Sequence, residues 1–441
     1  MQAGFPGAPL PLDGARVYEL AALTLCVALA TRARLPARWG WLTGGVLLLG
    51  TLSALGGQMP ALSLKEVLLW TLLLLAAPRL AALRGGALLA LGSALVVLQT
   101  IWSLEFLGFW LQTHLMGADF EPEAFTIASA FHLFGHARFL NQLQSWLLPV
   151  ACLLCLRFRG PLALRALFWA LLLVSWTQLW FSAGRGSMIG LAAGALVVIL
   201  VAGPGGRHLA LAQGAAAAGG LALYTLLFRV FGREGPFESA FERPPTTTGR
   251  TPAWEQAQEM FLESPLLGRG PQSFAWEGTR FAHPHSTPLQ ILAEWGALGA
   301  LLFGAALVLG ATALVRLRRA SPRLDGASGP LRGARAPWFA ALLWSSVAGL
   351  VHSLVSGVFV MPLSHLAGLV VLALWLRVSG VPAVPVRRAP ALALAAALLL
   401  LAGVGVFAPD FEWPLLGPSS LFLDSEVLQG WRRPRFWSDG V

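Results

Sequence analysis

Apolar residues run through this chain in long blocks of roughly spanning length, about 20 residues, rather than in the alternating or one-in-three-or-four pattern of soluble elements. Short breaks bearing arginine, glycine or proline separate them. The pattern predicts twelve spans, near 17–31, 41–57, 64–83, 86–110, 142–157, 163–182, 187–203, 208–230, 291–315, 337–358, 361–377 and 389–407. The expected fold is all-α: a polytopic membrane protein of about twelve transmembrane helices. Its parts would be an N-terminal set of eight spans (1–231), a polar loop (232–290), four more spans (291–407) and a tail (408–441).

The breaks alternate in character. One set is basic: Arg32, Arg34 and Arg38; Arg79 and Arg84; Arg157, Arg159 and Arg165; Arg207; Arg316, Arg318, Arg319, Arg323, Arg332 and Arg335; Arg377, Arg387 and Arg388. The positive-inside rule places these on the cytoplasmic side. The N-terminal segment, the stretch 111–141, the loop 232–290 and the tail from Pro409 then face outward. The two long outward segments exceed simple turns, and loops of that size tend to carry function. Residues 252–263 read as a short amphipathic helix with Trp254, Ala257, Met260 and Phe261 on its apolar face. It would lie on the membrane surface or cap the bundle. The tail sequence WRRPRFW (431–437) mixes Arg and Trp as interfacial anchors do.

Composition supports this picture and removes others. Hydrophobic residues make up 56% of the 441, charged residues only 12%, and mean hydropathy is +0.68. A soluble domain carries about twice that share of charge. The net charge of +10 would point to nucleic acid in a soluble protein. Here the arginines sit in connectors, so they read as topology determinants and no nucleic-acid partner is expected. Cys26, Cys152 and Cys155 lie in apolar runs, where small buried residues are the expectation and neither zinc nor a disulfide is. No basic segment precedes the first apolar run, which is therefore expected to remain as an anchor.

Three places stand out for chemistry. In SAGRGSMIG, Arg185 sits between glycines just before a span. In TTTGRTPAW, Arg250 precedes Thr251 and Pro252, which resemble an N-cap and first helical residue. In HPHSTPLQ, His283 and His285 precede a T-x-x-Q capping box, Thr287 to Gln290, with Pro288 at the first helical position. Each place lies at a predicted helix start on the outer side. Helix starts offer free N–H groups and a positive dipole end to anions. Two guanidinium groups add forks suited to phosphate oxygens. If the loop folds onto the bundle, the three starts can share a pocket fit for a pyrophosphate. Positive surroundings would keep a histidine there neutral, as a general base must be.

Plainer readings accompany each feature. Interfacial arginines are usually anchors, and GRGPQS (268–273) reads as a turn, lacking the lysine of a phosphate loop. The HxH pair has no Asp, Cys or Glu nearby at ligand spacing, so no metal is expected. His352 falls within a span, where it either serves function or only hydrogen-bonds a neighbouring helix; both readings stand. Asn141, Gln142 and Gln144 open the fifth span and are candidates to line the same outer cavity. Glu105 near the end of the fourth span is similarly ambiguous.

The arginine after a span, the outward segment GRTPAWEQAQEMFLESPLLGRGPQSF, the run HPHSTPLQILAEWGALGALLFG and the later HSLVSGVFVMP together resemble the O-antigen ligase superfamily, from about Phe181 to Pro362. That superfamily includes O-linked protein oligosaccharyltransferases and Wzy-type polymerases. The resemblance implies a GT-C-like membrane glycosyltransferase of the bacterial inner membrane whose site faces the periplasm. The donor would be a glycan on undecaprenyl pyrophosphate. The acceptor would be a hydroxyl of lipid A–core, of a protein or of a growing glycan, and transfer would be inverting, with no metal or cofactor. Arg185 and Arg250 would then hold the pyrophosphate, and His285, or else His283, would be the base. Ser286 stands where relatives often have Asn, which leaves its supporting role open. The near rival is a Wzy-type polymerase. A lipid or solute transporter is weaker, because it would favour ionisable groups at the bilayer midplane and most of these lie in connectors.

Overall fold

The computed structural model describes residues 19–27, 34–35, 37–83, 85–115, 137–230, 250–275, 282–324, 335–379 and 384–385. Within them the chain is helical apart from one minimal antiparallel pair, β1 (Arg34–Leu35) and β2 (Val384–Pro385), in which Arg34 faces Pro385. The helices are α1 (19–27), α2 (Ala37–Gly56), α3 (Pro60–Ala81), α4 (Gly85–Leu115), α5 (Ala137–Arg157), α6 (Leu162–Phe181), α7 (Arg185–Val201), α8 (Gly203–Tyr224), α9 (Arg250–Glu263), α10 (Thr287–Leu324), α11 (Arg335–Ser353) and α12 (Pro362–Ser379). Among the described residues, seven helices are long and apolar enough to cross a membrane, and α7 is a shorter apolar helix. The protein is a multi-pass membrane protein. The twelfth expected span, 389–407, and the tail lie outside the described residues.

The outward stretch expected at 111–141 is shorter than the sequence pattern indicates. Helix α4 continues to Leu115 and α5 already begins at Ala137. Apolar-run counting stopped these helices early because Gln112, His114 and Asn141 are polar. A helix continues through polar residues wherever its backbone bonds are made.

The chain forms two compact units. One contains α1–α3, α9, α10 and α12; the other contains α4–α8 and α11. In the second unit α5 is the buried centre, with every residue from Leu140 to Leu153 out of solvent. A helix buried on all sides belongs inside a bundle. Helix α11 packs on α7 and α5. Apolar burial drives little between helices in lipid, so close contact and hydrogen bonds, about 0.6 kcal/mol each, hold such helices together. Gly190 and Gly194 permit that approach, since an added Cβ would stand 2.5 Å from the Ala348 carbonyl and 2.3 Å from the Trp344 ring. The Trp344 indole N–H then reaches the Leu191 carbonyl at 2.8 Å.

In the first unit α3 packs on α2 and α12. Arg377 caps the end of α3, donating from Nη1 to the carbonyls of Ala81 (3.1 Å) and Leu83 (2.7 Å). Inside the unit, Glu19 of α1 and His365 of α12 form a fully buried pair, with Oε1 and Nδ1 2.8 Å apart.

Helix α10 is broken rather than continuous. Gly296 sits at φ 66, ψ −168, a conformation essentially reserved for glycine. The segment after α9 fills the break. The N–H groups of Arg269 and Gly270 donate to the Ala293 and Glu294 carbonyls at 2.9 and 3.1 Å. The N–H groups of Ala297 and Leu298 donate to the Pro265 and Leu266 carbonyls at 2.8 and 3.2 Å. The Ser53 hydroxyl adds bonds to the carbonyls of Leu267 and Glu294. Backbone groups freed by the break are thus paired again, as a non-aqueous setting requires.

Candidate functional site

The sequence-selected residues divide between the two units. Arg250, His283, His285 and Ser286 belong to the first; Arg185, Asn141 and His352 belong to the second.

In the first unit, Arg250 opens α9 and the histidines lead into α10. Both helix starts fall one or two residues earlier than expected. Helix α9 begins at Arg250 itself, so Pro252 occupies the third helical position instead of the first. For α10, the Gln290 N–H donates to the Ser286 carbonyl at 2.9 Å, which makes Ser286 the capping residue in place of Thr287. The expected T-x-x-Q box is therefore not formed. Gln290 instead donates along the helix to Glu294 Oε2 at 3.4 Å, and the Thr287 hydroxyl is buried without a hydrogen-bond partner. The physical reason is local: proline is tolerated anywhere in the first turn, where its missing N–H has no intrahelical role.

The HPHS turn is tightly specified. His283 and His285 are both buried, their ring centroids 4.1 Å apart and tilted by 58°. The His285 backbone N–H donates to His283 Nδ1 at 3.0 Å. His285 itself lies in the left-handed region at φ 52, an uncommon place for a non-glycine residue, costing about 1–3 kcal/mol and found mostly at functional sites. Trp254 of α9 holds the turn from outside, its indole N–H donating to the Pro284 carbonyl at 2.9 Å.

One chemical consequence follows for the imidazoles. Nδ1 of His283 accepts a hydrogen bond, so the proton of its neutral ring is on Nε2, and that ring has no remaining lone pair for a proton. His283 Nδ1 is thus committed to the backbone of the turn.

Helix α9 buries Ala253, Ala257 and Met260 against Phe274 and Ala293, with Leu289 alongside. The expected face is rotated: Trp254 is only half-buried and Phe261 likewise. The helix is seated on the start of α10. GRGPQS is a turn, as its composition indicates. Gly268 and Gly270 have φ of 70 and 104, and the amides of Arg269 and Gly270 are committed to α10 carbonyls rather than open to an anion.

Glu294 escaped the sequence reading. It is fully buried, accepting the Phe274 N–H at Oε1 (3.3 Å) and the Gln290 amide at Oε2. An acidic residue in an apolar helix, four residues after Gln290, was the signal available.

In the second unit, Arg185 begins α7 and its side chain is exposed, with no hydrogen bond or ion pair among the described residues. No side chain caps this helix at Gly184, and Ala183 before it has φ 45. Polar groups buried beneath the start meet in a cluster. Ser187 donates to the Asn141 carbonyl at 2.7 Å, Ser182 donates to Asn141 Oδ1 at 2.9 Å, and His352 Nδ1 lies 2.9 Å from Ser145 Oγ and 3.1 Å from Ser187 Oγ. Asn141 and His352 are thus brought together next to Arg185's helix start. Ser145 and Ser187, which connect them, were not singled out by sequence, since serine in a span carries no distinctive signal.

Residues 170–304 match the family model described as O-antigen ligase. The match includes Arg185, Arg250, His283, His285 and Glu294, and ends before His352. No curated protein matches the chain.

Proposed function

We propose, from residues 170–304 carrying the O-antigen ligase family's domain, that this membrane protein transfers a glycan from undecaprenyl pyrophosphate to an acceptor hydroxyl at the periplasmic face of the bacterial inner membrane. The observation that carries the proposal is the HPHS turn, in which a buried histidine pair at the start of α10 has His283 Nδ1 committed to the His285 N–H, so that His285 is assigned as the base.

In the reaction, His285 takes the proton of the acceptor hydroxyl as the oxygen attacks the anomeric carbon. The bond from that carbon to the pyrophosphate oxygen breaks, with inversion. The departing lipid pyrophosphate gains a negative charge, which Arg185 and Arg250 are assigned to neutralise by paired N–H donation. The proton remains on His285 until product leaves. His283, accepting the His285 N–H at Nδ1, fixes the backbone of the turn. Lipid A–core is the preferred acceptor; a protein hydroxyl is the other ligase-type acceptor.

Purified protein in nanodiscs, supplied with lipid-linked glycan and candidate acceptors, tests this directly. Arg185→Ala, Arg250→Ala and His285→Ala are each expected to lower transfer at least about 100-fold with expression unchanged. Full activity in all three overturns the proposal. Product made only by extending another lipid-linked glycan identifies a polymerase instead.

A further inference from the structure

Helix α7 starts without a side-chain cap, as α3, α6 and α8 also do. Its capping position is Gly184, with no side chain to accept the first-turn amides. An uncapped start frays readily, yet this one carries Arg185. Among the described residues of the second unit, a buried polar cluster packs against this start.

The contacts are made residue by residue. Gly184 rests on the Asn141 amide, where an added Cβ would stand 2.4 Å from Nδ2. Gly186 rests on the His352 ring, where a Cβ would stand 2.6 Å from Cδ2 and 3.0 Å from Nε2. Ser187 is tied to the Asn141 carbonyl and faces His352 Nδ1. Ser145, one turn along α5 from Asn141, donates to Ser187 Oγ at 3.0 Å and also faces Nδ1. The side chains of Asn141, Ser145, Ser187 and His352 are all buried.

The protons can be placed. Each hydroxyl has one. That of Ser187 goes to the Asn141 carbonyl, the shortest bond of the group, and that of Ser145 goes to Ser187 Oγ at 3.0 Å or to the Asn141 carbonyl at 3.1 Å. With both hydroxyl protons committed to oxygens, both hydroxyl oxygens meet Nδ1 as acceptors, and this assignment puts the ring proton on Nδ1. The result is a directional chain from His352 through Ser145 and Ser187 to the Asn141 backbone. Such a network specifies one geometry when all its members are satisfied.

We infer that His352 is a positioning residue for the transfer reaction: from Nδ1, through Ser145 and Ser187, it fixes the first turn of α7 and so the place from which Arg185 reaches the pyrophosphate. The inference rests on the proposed role of Arg185. His352 touches no reacting atom in this scheme. Its effect is on placement, and misplacement by about 1 Å can cost on the order of 100-fold in rate.

The test measures binding of a short polyprenyl pyrophosphate to the full chain in nanodiscs, alongside transfer. Arg185→Ala must weaken binding first; wild-type affinity there overturns the assignment of Arg185 itself. Given that defect, His352→Ala is expected to weaken binding about tenfold, and the Arg185→Ala/His352→Ala double variant to bind no worse than Arg185→Ala alone. His352→Asn, whose amide falls where Nδ1 stood, is expected to bind within about threefold of wild type. His352→Gln, whose amide falls where Nε2 stood, is expected to resemble His352→Ala. Should His352→Ala fail to fold, Ser187→Ala carries the same test beside His352→Asn. Wild-type binding in His352→Ala or in Ser187→Ala, additive defects in the double variant, or rescue by Gln and not by Asn would each overturn the inference.

Discussion

Replacing Gly296 with alanine confronts the break in α10 directly. A Cβ at this position would stand 2.4 Å from the Leu266 carbonyl oxygen, 2.5 Å from its carbon and 2.6 Å from the Gly268 nitrogen. All three are backbone atoms, so no rotamer change relieves the clash. The seam between the Pro265–Gly270 segment and α10 must open, loosening some or all of four backbone hydrogen bonds, and the φ/ψ pair is one alanine does not adopt. At about 1 kcal/mol net per bond and 1–3 kcal/mol for the backbone, the loss is about 3–5 kcal/mol. Gly304, eight residues on in the same helix, meets nothing within 4 Å. Alanine there removes only the helix penalty of glycine, so it is expected to be neutral or stabilising by up to about 1 kcal/mol. Thermal unfolding in detergent compares the two. The same chemical change in one helix is expected to have opposite signs, and Gly296→Ala is also expected to lower transfer, because the seam seats α9 on the start of α10. Melting of Gly296→Ala within about 2 °C of wild type, with full transfer, would refute the reasoning.

Other consequences are open to measurement. At His285 the usual order of alanine over glycine should invert: with φ at 52, His285→Gly is expected to be more stable than His285→Ala by about 1 kcal/mol, both being inactive, and an alanine variant at least as stable as glycine would show that the turn is not held left-handed. For the buried Glu19–His365 pair, His365→Ala is expected to cost about 1–3 kcal/mol by leaving a carboxyl group without that partner. A double-mutant cycle with Glu19→Ala should show coupling of at least about 0.5 kcal/mol; zero coupling would mean the pair contributes nothing to holding α1 to α12.

What could be read in the sequence follows from how local each determinant is. Spanning helices are legible because lipid demands a contiguous apolar run, so α2, α6 and α12 fall close to their expected bounds. The starts of α7, α9 and α10 were visible within two residues, since glycine, proline and hydroxyl side chains act on their own backbone. The exact capping residue was not, because Ser286 and Thr287 offer the same chemistry and only the Gln290-to-Ser286 bond distinguishes them. Nothing local announces the break at Gly296: the helical pattern continues through LAEWGALGALL, and the partner strand of the seam begins some thirty residues earlier. The same distance hid Ser145 and Ser187. His352 is 207 residues from one and 165 from the other, and a serine in a span becomes informative only when a ring nitrogen is placed against it. The histidine pair shows both sides. Its presence was plain from sequence, which preferred His285 as the base without the contact that separates the two rings. A single backbone N–H, folded onto one Nδ1 by a left-handed residue, is what distinguishes the two imidazoles.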